Sequence, residues 1–132
     1  MIGLVVVSHG PLADGLKQAA EMIMGPQEAL AALGLEPAQD MDKYRADLER
    51  LVRDVDRGEG VLVLADLFGG SPANTAAYVL GPAVDVVCGC SLPMLIESLT
   101  VRLDGDLQSV AAAALQAATA GAVRLADLLG NP

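Results

Sequence analysis

Apolar positions along the chain fall into two alternating rhythms. Residues 2–7, Ile2-Gly3-Leu4-Val5-Val6-Val7, form an almost unbroken apolar run, which predicts a strand buried on both faces. Leu12, Leu16, Ala19, Ala20 and Ile23 then recur at helical spacing, and Gly25-Pro26 stops that helix. Residues 29–35 predict a weaker second strand, although their composition suits a helix equally. After a polar loop through Pro37 and Asp40, Tyr44, Leu48, Leu51, Val52 and Val55 mark an amphipathic helix whose other face carries Asp, Glu and Arg. Gly58 and Gly60 end it. A third strand is expected at 61–65 and a helix from about Pro72 to Leu80. A fourth strand follows at 84–87, then a short helix from Leu92 to about Leu99. Leu107, Val110, Ala111, Ala114, Leu115 and Ala118 mark a last long helix. The stretch Val123 to Leu129, interrupted by Arg124 and Asp127, reads as a fifth strand at a sheet edge.

Strands alternating with helices predict an α/β fold: a mostly parallel open sheet with helices on both faces. The 132 residues suit one domain, 1–132, with an adequate core and no repeat or linker. In such sheets ligands bind beyond the carboxyl ends of the strands, where the strand order reverses.

The polar residues that follow the strands are therefore the candidates for chemistry. The only histidine, His9, ends the first strand inside Ser8-His9-Gly10. The third strand runs into Asp66-Leu67-Phe68-Gly69-Gly70-Ser71-Pro72, and the fourth into Cys90-Ser91-Leu92-Pro93. If the first and third strands are parallel neighbours, His9 and Asp66 emerge side by side. Ser71 reads as a helix N-cap with Pro72 as the first helical residue. Helix starts gathered there would offer backbone N–H groups to an anion. A lone His is often only structural, Asp66 could be a turn residue, and Gly69-Gly70 could simply permit a tight turn. The convergence of all of them at one sheet edge favours a site.

Composition narrows the partners. Eight basic against 17 acidic residues give a net charge of −9, which excludes a nucleic-acid surface. Tyr44, Tyr78 and Phe68 are the only aromatic residues, a poor set for stacking free sugars or bases. Cys88 and Cys90 lack the further ligands a metal would need and read as reduced thiols beside a buried strand. No metal and no cofactor are expected. There is no apolar stretch long enough to span a membrane and no signal-like leader, so a cytoplasmic protein is expected.

Ser8-His9-Gly10, the string Asp66 to Pro72 with Asn74, and Leu92-Pro93-Met94-Leu95 together resemble enzyme IIA of the mannose family of the bacterial phosphoenolpyruvate-dependent sugar phosphotransferase system. The resemblance spans about residues 2 to 129. One departure is visible: the family usually has Asn before Leu-Pro-Met-Leu, where this chain has Ser91. The resemblance implies a phosphoryl relay. His9 would accept the group from the phosphocarrier HPr and pass it to a IIB subunit that serves membrane IIC and IID proteins. It also implies a homodimer, with the last strand antiparallel and exchanged between subunits. Because the sequence stops at Pro132, IIB is expected as a separate polypeptide.

The residue types suit that chemistry. With Asp66 holding the Nδ1 proton, Nε2 of His9 is the free nucleophile. N–H groups at Gly69, Gly70 and Ser71, the Ser71 hydroxyl and the Ser91 helix start suit the charge on the transferring group. An acidic protein meeting a phosphocarrier needs an apolar rim, for which Leu12, Met24, Phe68 and Met94 are the candidates. A hydrolase triad of Ser71, His9 and Asp66 is disfavoured, because the serine lies in Gly-Gly-Ser-Pro and Pro72 removes an oxyanion-hole N–H. The alternative of a non-catalytic regulatory or anion-binding module controlled by His9 phosphorylation stays open on sequence alone.

Overall fold

The computed structural model describes residues 1–130. Its element order is β1 (Gly3–His9), α1 (Leu12–Met24), β2 (Leu30–Leu35), α2 (Met41–Val55), β3 (Val61–Ala65), α3 (Ser71–Ala76), β4 (Val84–Cys88), α4 (Leu92–Val101), α5 (Leu107–Ala120) and α6 (Leu125–Leu129), with a single 3₁₀ turn at Ala77–Val79 after α3. The four strands form one parallel sheet in the order β2-β1-β3-β4. The predicted α/β class and open parallel sheet are thus found.

The unbroken apolar runs are explained by helices on both faces. Leu4, Val6, Leu62 and Leu64 point to one face, under α1, α4 and α5, with Ala13, Ala20, Leu95, Leu99, Val110 and Ala114. Val5, Val7, Val61 and Val63 point to the other, under α2 and α3, with Leu48, Val52, Val55, Ala73 and Ala76. The chain first steps sideways from β1 to β2, then back across β1 to β3 and outward to β4. Right-handed crossovers therefore place α1 on one face and α2 and α3 on the other. The reversal lies between β1 and β3, so their carboxyl ends define the switch point. The amino edge is tied by Arg102, whose buried guanidinium donates to the carbonyls of Glu28 (2.6 Å) and Ala29 (3.0 Å).

Two expectations about elements are corrected. Val123 to Leu129 is not a fifth strand: Leu125–Leu129 is a short helix. Leu125, Leu128 and Leu129 stand at i, i+3 and i+4, a helical stripe rather than the alternation a half-buried strand needs. Ser71 is not the N-cap of α3. Gly70 holds that place, with Ser71 and Pro72 as the first helical residues and no side-chain cap.

Candidate functional site

β1 and β3 pair in register, Val7 opposite Ala65, so the next residues of each strand leave the sheet together. The Asp66 N–H donates to the Val7 carbonyl at 3.0 Å. In a continuing parallel ladder the His9 N–H would next meet the Asp66 main-chain carbonyl. Here the side chain takes that rung: the His9 N–H donates to Asp66 Oδ2 at 3.0 Å. The same oxygen lies 2.9 Å from His9 Nδ1. One carboxylate oxygen thus fixes both the backbone and the ring of His9.

The pair is asymmetric in exposure. The His9 side chain is 51% exposed and that of Asp66 10%. Burial pushes the Asp66 carboxyl up, but hydrogen bonds from the His9 N–H and ring, with the His9 charge and the nearby Leu67 N–H, outweigh it and hold the acid below its ordinary value. The carboxylate is therefore the resident form, and a proton on Nδ1 satisfies it. Asp66 Oδ1 is buried without a hydrogen-bond partner. Burial, then the Asp66 charge, pushes both neighbouring thiols up, Cys90 to about 12, and the two cysteines form no disulfide.

The other edge of the ring meets Gly70. A Cβ added there would stand 2.6 Å from His9 Cε1 and 3.2 Å from Nε2. The start of α3 therefore lies against the nitrogen that Asp66 does not hold. Gly69, with φ +86°, makes the turn that brings it there, and Asn74 Nδ2 donates to the Gly69 carbonyl at 3.4 Å. Ser71 is exposed on the first turn of α3. Ser91 caps α4, its hydroxyl accepting the Met94 N–H at 3.3 Å. The loop before it is bound to β3, since the N–H groups of Gly89 and Cys90 both donate to the Ala65 carbonyl at 2.8 and 2.9 Å. His9, Asp66, Gly69, Gly70, Ser71 and Ser91 thus share the carboxyl edge of the sheet.

Of the four rim candidates, Leu12 and Phe68 are exposed and Met24 and Met94 are not. Phe68 is 85% exposed and Leu12 about half exposed, both within three residues of the His9–Asp66 pair in sequence. Met94 is fully buried in the core beneath α4 and cannot meet a partner. Met24 ends α1 and packs at the core margin. Twelve residues of helix carry it about 18 Å from Leu12, toward the opposite edge of the sheet. Leu67, between Asp66 and Phe68, is exposed as well.

Two further positions escaped the sequence reading. The Ser8 hydroxyl, buried, accepts the Ala13 N–H at 2.7 Å and so caps α1 from five residues back. Gly34 of β2 packs directly on the Gly10 carbonyl, with no space for a side chain, and so holds the turn after His9. Only the small size of these residues hints at either role.

Among the described residues no group of His, Cys, Asp and Glu suits a metal ion, and no helix is long and apolar enough to cross a membrane.

Comparison with known proteins places these features in a group. Residues 3–130 match the family EIIA-man, "PTS system fructose IIA component". The chain is 36% identical over 109 residues to the PTS system mannose-specific EIIAB component of Escherichia coli (strain K12), covering 78% of this chain and 32% of that protein. The chain therefore spans about a third of that relative's length. It is 30% identical to the PTS system fructose-specific EIIA component of Bacillus subtilis (strain 168), over 77% of this chain and 71% of that protein. Phosphotransferase system component EIIA from Streptococcus agalactiae superposes with a TM-score of 0.87 at 27% identity, over 96% of this chain and 99% of that one.

Proposed function

The chain belongs to the EIIA-man family, the IIA components of the phosphoenolpyruvate-dependent sugar phosphotransferase system, and on that premise we propose that His9 Nε2 carries a phosphoryl group from phospho-HPr to a IIB protein during sugar uptake. The observation that carries this reading is the 2.9 Å contact between His9 Nδ1 and Asp66 Oδ2. It supports a ring proton on Nδ1, with the Nε2 lone pair as the nucleophile.

The step balances without an added reagent. Nε2 attacks phosphorus as the bond to the donor's imidazole breaks, and that bond's electron pair returns to the donor nitrogen. The His9 ring gains positive charge as the new N–P bond forms, and the Asp66 carboxylate, already held in its charged form, stabilises it. Asp66 is thus the orienting and charge-stabilising group of the pair. The phosphoryl oxygens meet the backbone N–H groups at Gly69, Gly70 and Ser71, with the Ser71 hydroxyl beside them. Ser91 supplies a capped helix start on the same edge. Transfer onward reverses the step with a IIB nucleophile as acceptor. Leu12, Leu67 and Phe68 form the apolar ground on which HPr and IIB alternate.

The domain is one unit spanning residues 1–132 and works with a IIB protein and membrane IIC and IID partners. Self-association as a homodimer would cover Leu125, Leu128 and Leu129 of α6, which a lone chain leaves exposed. Light scattering at micromolar concentration that finds only monomer refutes this part.

Incubation with phosphoenolpyruvate, enzyme I and HPr tests the central claim. The expected product is one acid-labile phosphate on His9 Nε2, absent from His9→Ala. Labelling of His9→Ala at the wild-type level overturns it.

A further inference from the structure

The glycine pair after Asp66 is braced by one residue of α3. Gly69 has φ +86°, and nothing lies within 4 Å of where its side chain would stand. Gly70 follows, so the peptide between them joins two residues that have no Cβ to fix its plane. Asn74 holds Gly70 from both sides. Its main-chain N–H donates to the Gly70 carbonyl at 2.9 Å, which fixes the peptide after Gly70. Its side-chain Nδ2 donates to the Gly69 carbonyl at 3.4 Å, which fixes the peptide before it. Among the described residues the Gly69 carbonyl takes no main-chain N–H, and the Gly70 N–H meets no main-chain acceptor. A trans peptide points its C=O and N–H in opposite directions. With the Gly69 carbonyl turned to Asn74, the Gly70 N–H is turned away from α3. The Cα next to that N–H stands beside the His9 ring, since a Cβ on it would lie 3.2 Å from Nε2.

We propose that Asn74 is a positioning residue for the phosphoryl-carrying pair: its side-chain amide keeps the Gly69–Gly70 peptide in the orientation that presents an N–H, not a carbonyl oxygen, to the group on His9 Nε2. This deepens the relay reading and rests on it. Between two glycines the peptide can turn over as a unit while both Cα atoms stay in place. Turned over, it would set the partial negative charge of the Gly69 oxygen against the phosphoryl oxygens and withdraw a donor from them. The main-chain bond from Asn74 to Gly70 does not prevent this, because it holds the next peptide along. Nor does Asp66, whose Oδ2 takes the His9 N–H and ring and whose Oδ1 has no partner. Asn74 is exposed on α3, where burial demands no particular residue and helix propensity favours alanine.

The test compares Asn74→Ala with Ala77→Gly. The first removes the side-chain amide and keeps the main-chain bond. The second loosens the far end of the same helix without touching the glycines. Three readouts are taken on each folded protein: the rate of transfer from phospho-HPr, the equilibrium of that transfer, and the NMR signals of the Gly69 carbonyl carbon and the Gly70 amide. Asn74→Ala is expected to slow transfer about 2- to 10-fold, the rate equivalent of one neutral hydrogen bond, and to shift the equilibrium toward phospho-HPr by a similar factor. It should also move the Gly69 carbonyl signal upfield and broaden the Gly70 amide as the peptide samples two orientations, with a melting temperature no lower than wild type. Ala77→Gly should lower the melting temperature and leave all three readouts near wild type. Unchanged Gly69 and Gly70 signals in Asn74→Ala overturn the proposal, as do a wild-type rate and equilibrium, or equal effects in Ala77→Gly. If the wild-type protein accepts no phosphate, the relay reading fails, yet the Gly69 and Gly70 signals of the unphosphorylated protein still decide whether Asn74 sets the orientation of that peptide.

Discussion

Gly70 offers the sharpest probe of how the His9 ring is held. Its backbone angles, φ −85° and ψ 167°, are extended and open to any residue, so Gly70→Ala carries no conformational strain. The cost is steric and local. The new Cβ would lie 2.6 Å from His9 Cε1, whereas ordinary carbon contacts begin near 3.5 Å. The ring must retreat by roughly 1 Å, or swing off Asp66. A misplacement of about 1 Å in a reacting group can cost roughly 10²-fold in rate, or about 2.7 kcal/mol of barrier. Loss of glycine at an N-cap costs only about 0.5–1 kcal/mol of stability. Gly69→Ala is the counterpart. A Cβ there meets nothing within 4 Å, but φ is +86°, where a side chain costs about 1–2 kcal/mol. Rapid-quench transfer from phospho-HPr, run beside thermal melts, should separate the two: Gly70→Ala slow but nearly as stable, Gly69→Ala less stable and the faster of the pair. Gly70→Ala transferring at the wild-type rate would show that the ring has more freedom than this packing allows and refute the reasoning.

Asp66→Asn should slow transfer by about 10²–10⁴-fold, because an amide facing Nδ1 favours the wrong tautomer and removes the charge that steadies the ring. The folded Asp66 acid lies below its unfolded value of about 3.9, so its contribution to stability is present above that pH and disappears as pH falls through the lowered value. The gap in melting temperature between wild type and Asp66→Asn should therefore hold at neutral pH and close in acid; a constant gap to pH 2 contradicts this. Phe68→Ala should weaken HPr or IIB binding by about 1–3 kcal/mol in calorimetry with the fold intact, and unchanged affinity for both partners sinks the docking role. Cys90, its thiol raised to about 12, should react with a disulfide reagent at pH 8 far more slowly than a free thiol, and rapid labelling of the folded protein would contradict its half-buried, protonated state.

The legible parts of this chain are those where one local rule suffices. Val61-Leu62-Val63-Leu64-Ala65 can only be a strand covered on both faces, and β3 has those bounds. That placed Asp66 correctly, and the parallel pairing of β1 and β3 then set it beside His9. The errors arose where orientation was needed as well as type. Leu92-Pro93-Met94-Leu95 is apolar throughout, so nothing in it told which residue of the first turn faces inward; burial chose Met94 and Leu95. Met24 lies at the correct end of its helix for packing but the wrong end of the sheet for chemistry. Residues 123–129 suit a strand by apolar content alone, whereas the spacing of Leu125, Leu128 and Leu129 is helical.

The contacts of Tyr44 and Arg102 were illegible for a different cause: each serves a group far away in the chain. Tyr44 meets the Ser8 carbonyl 36 residues away, and Arg102 meets the carbonyl of Ala29 at a separation of 73. No periodicity encodes such contacts, because they exist only once the strands are stacked. The two ends of the sheet nevertheless obey one rule. A parallel ladder must stop, and its last polar groups still need partners. At the amino edge the donor is a guanidinium, which gathers the carbonyls of Glu28 and Ala29 and is sealed from water. At the carboxyl edge the acceptor is Asp66, which takes the next rung from His9 and leaves the ring at the surface. Both are buried charges that complete the backbone. Only the second has a titratable, exposed side chain attached to the rung it completes. The same hydrogen-bond requirement that closes the sheet therefore holds an exposed imidazole at one end and only a clamp at the other.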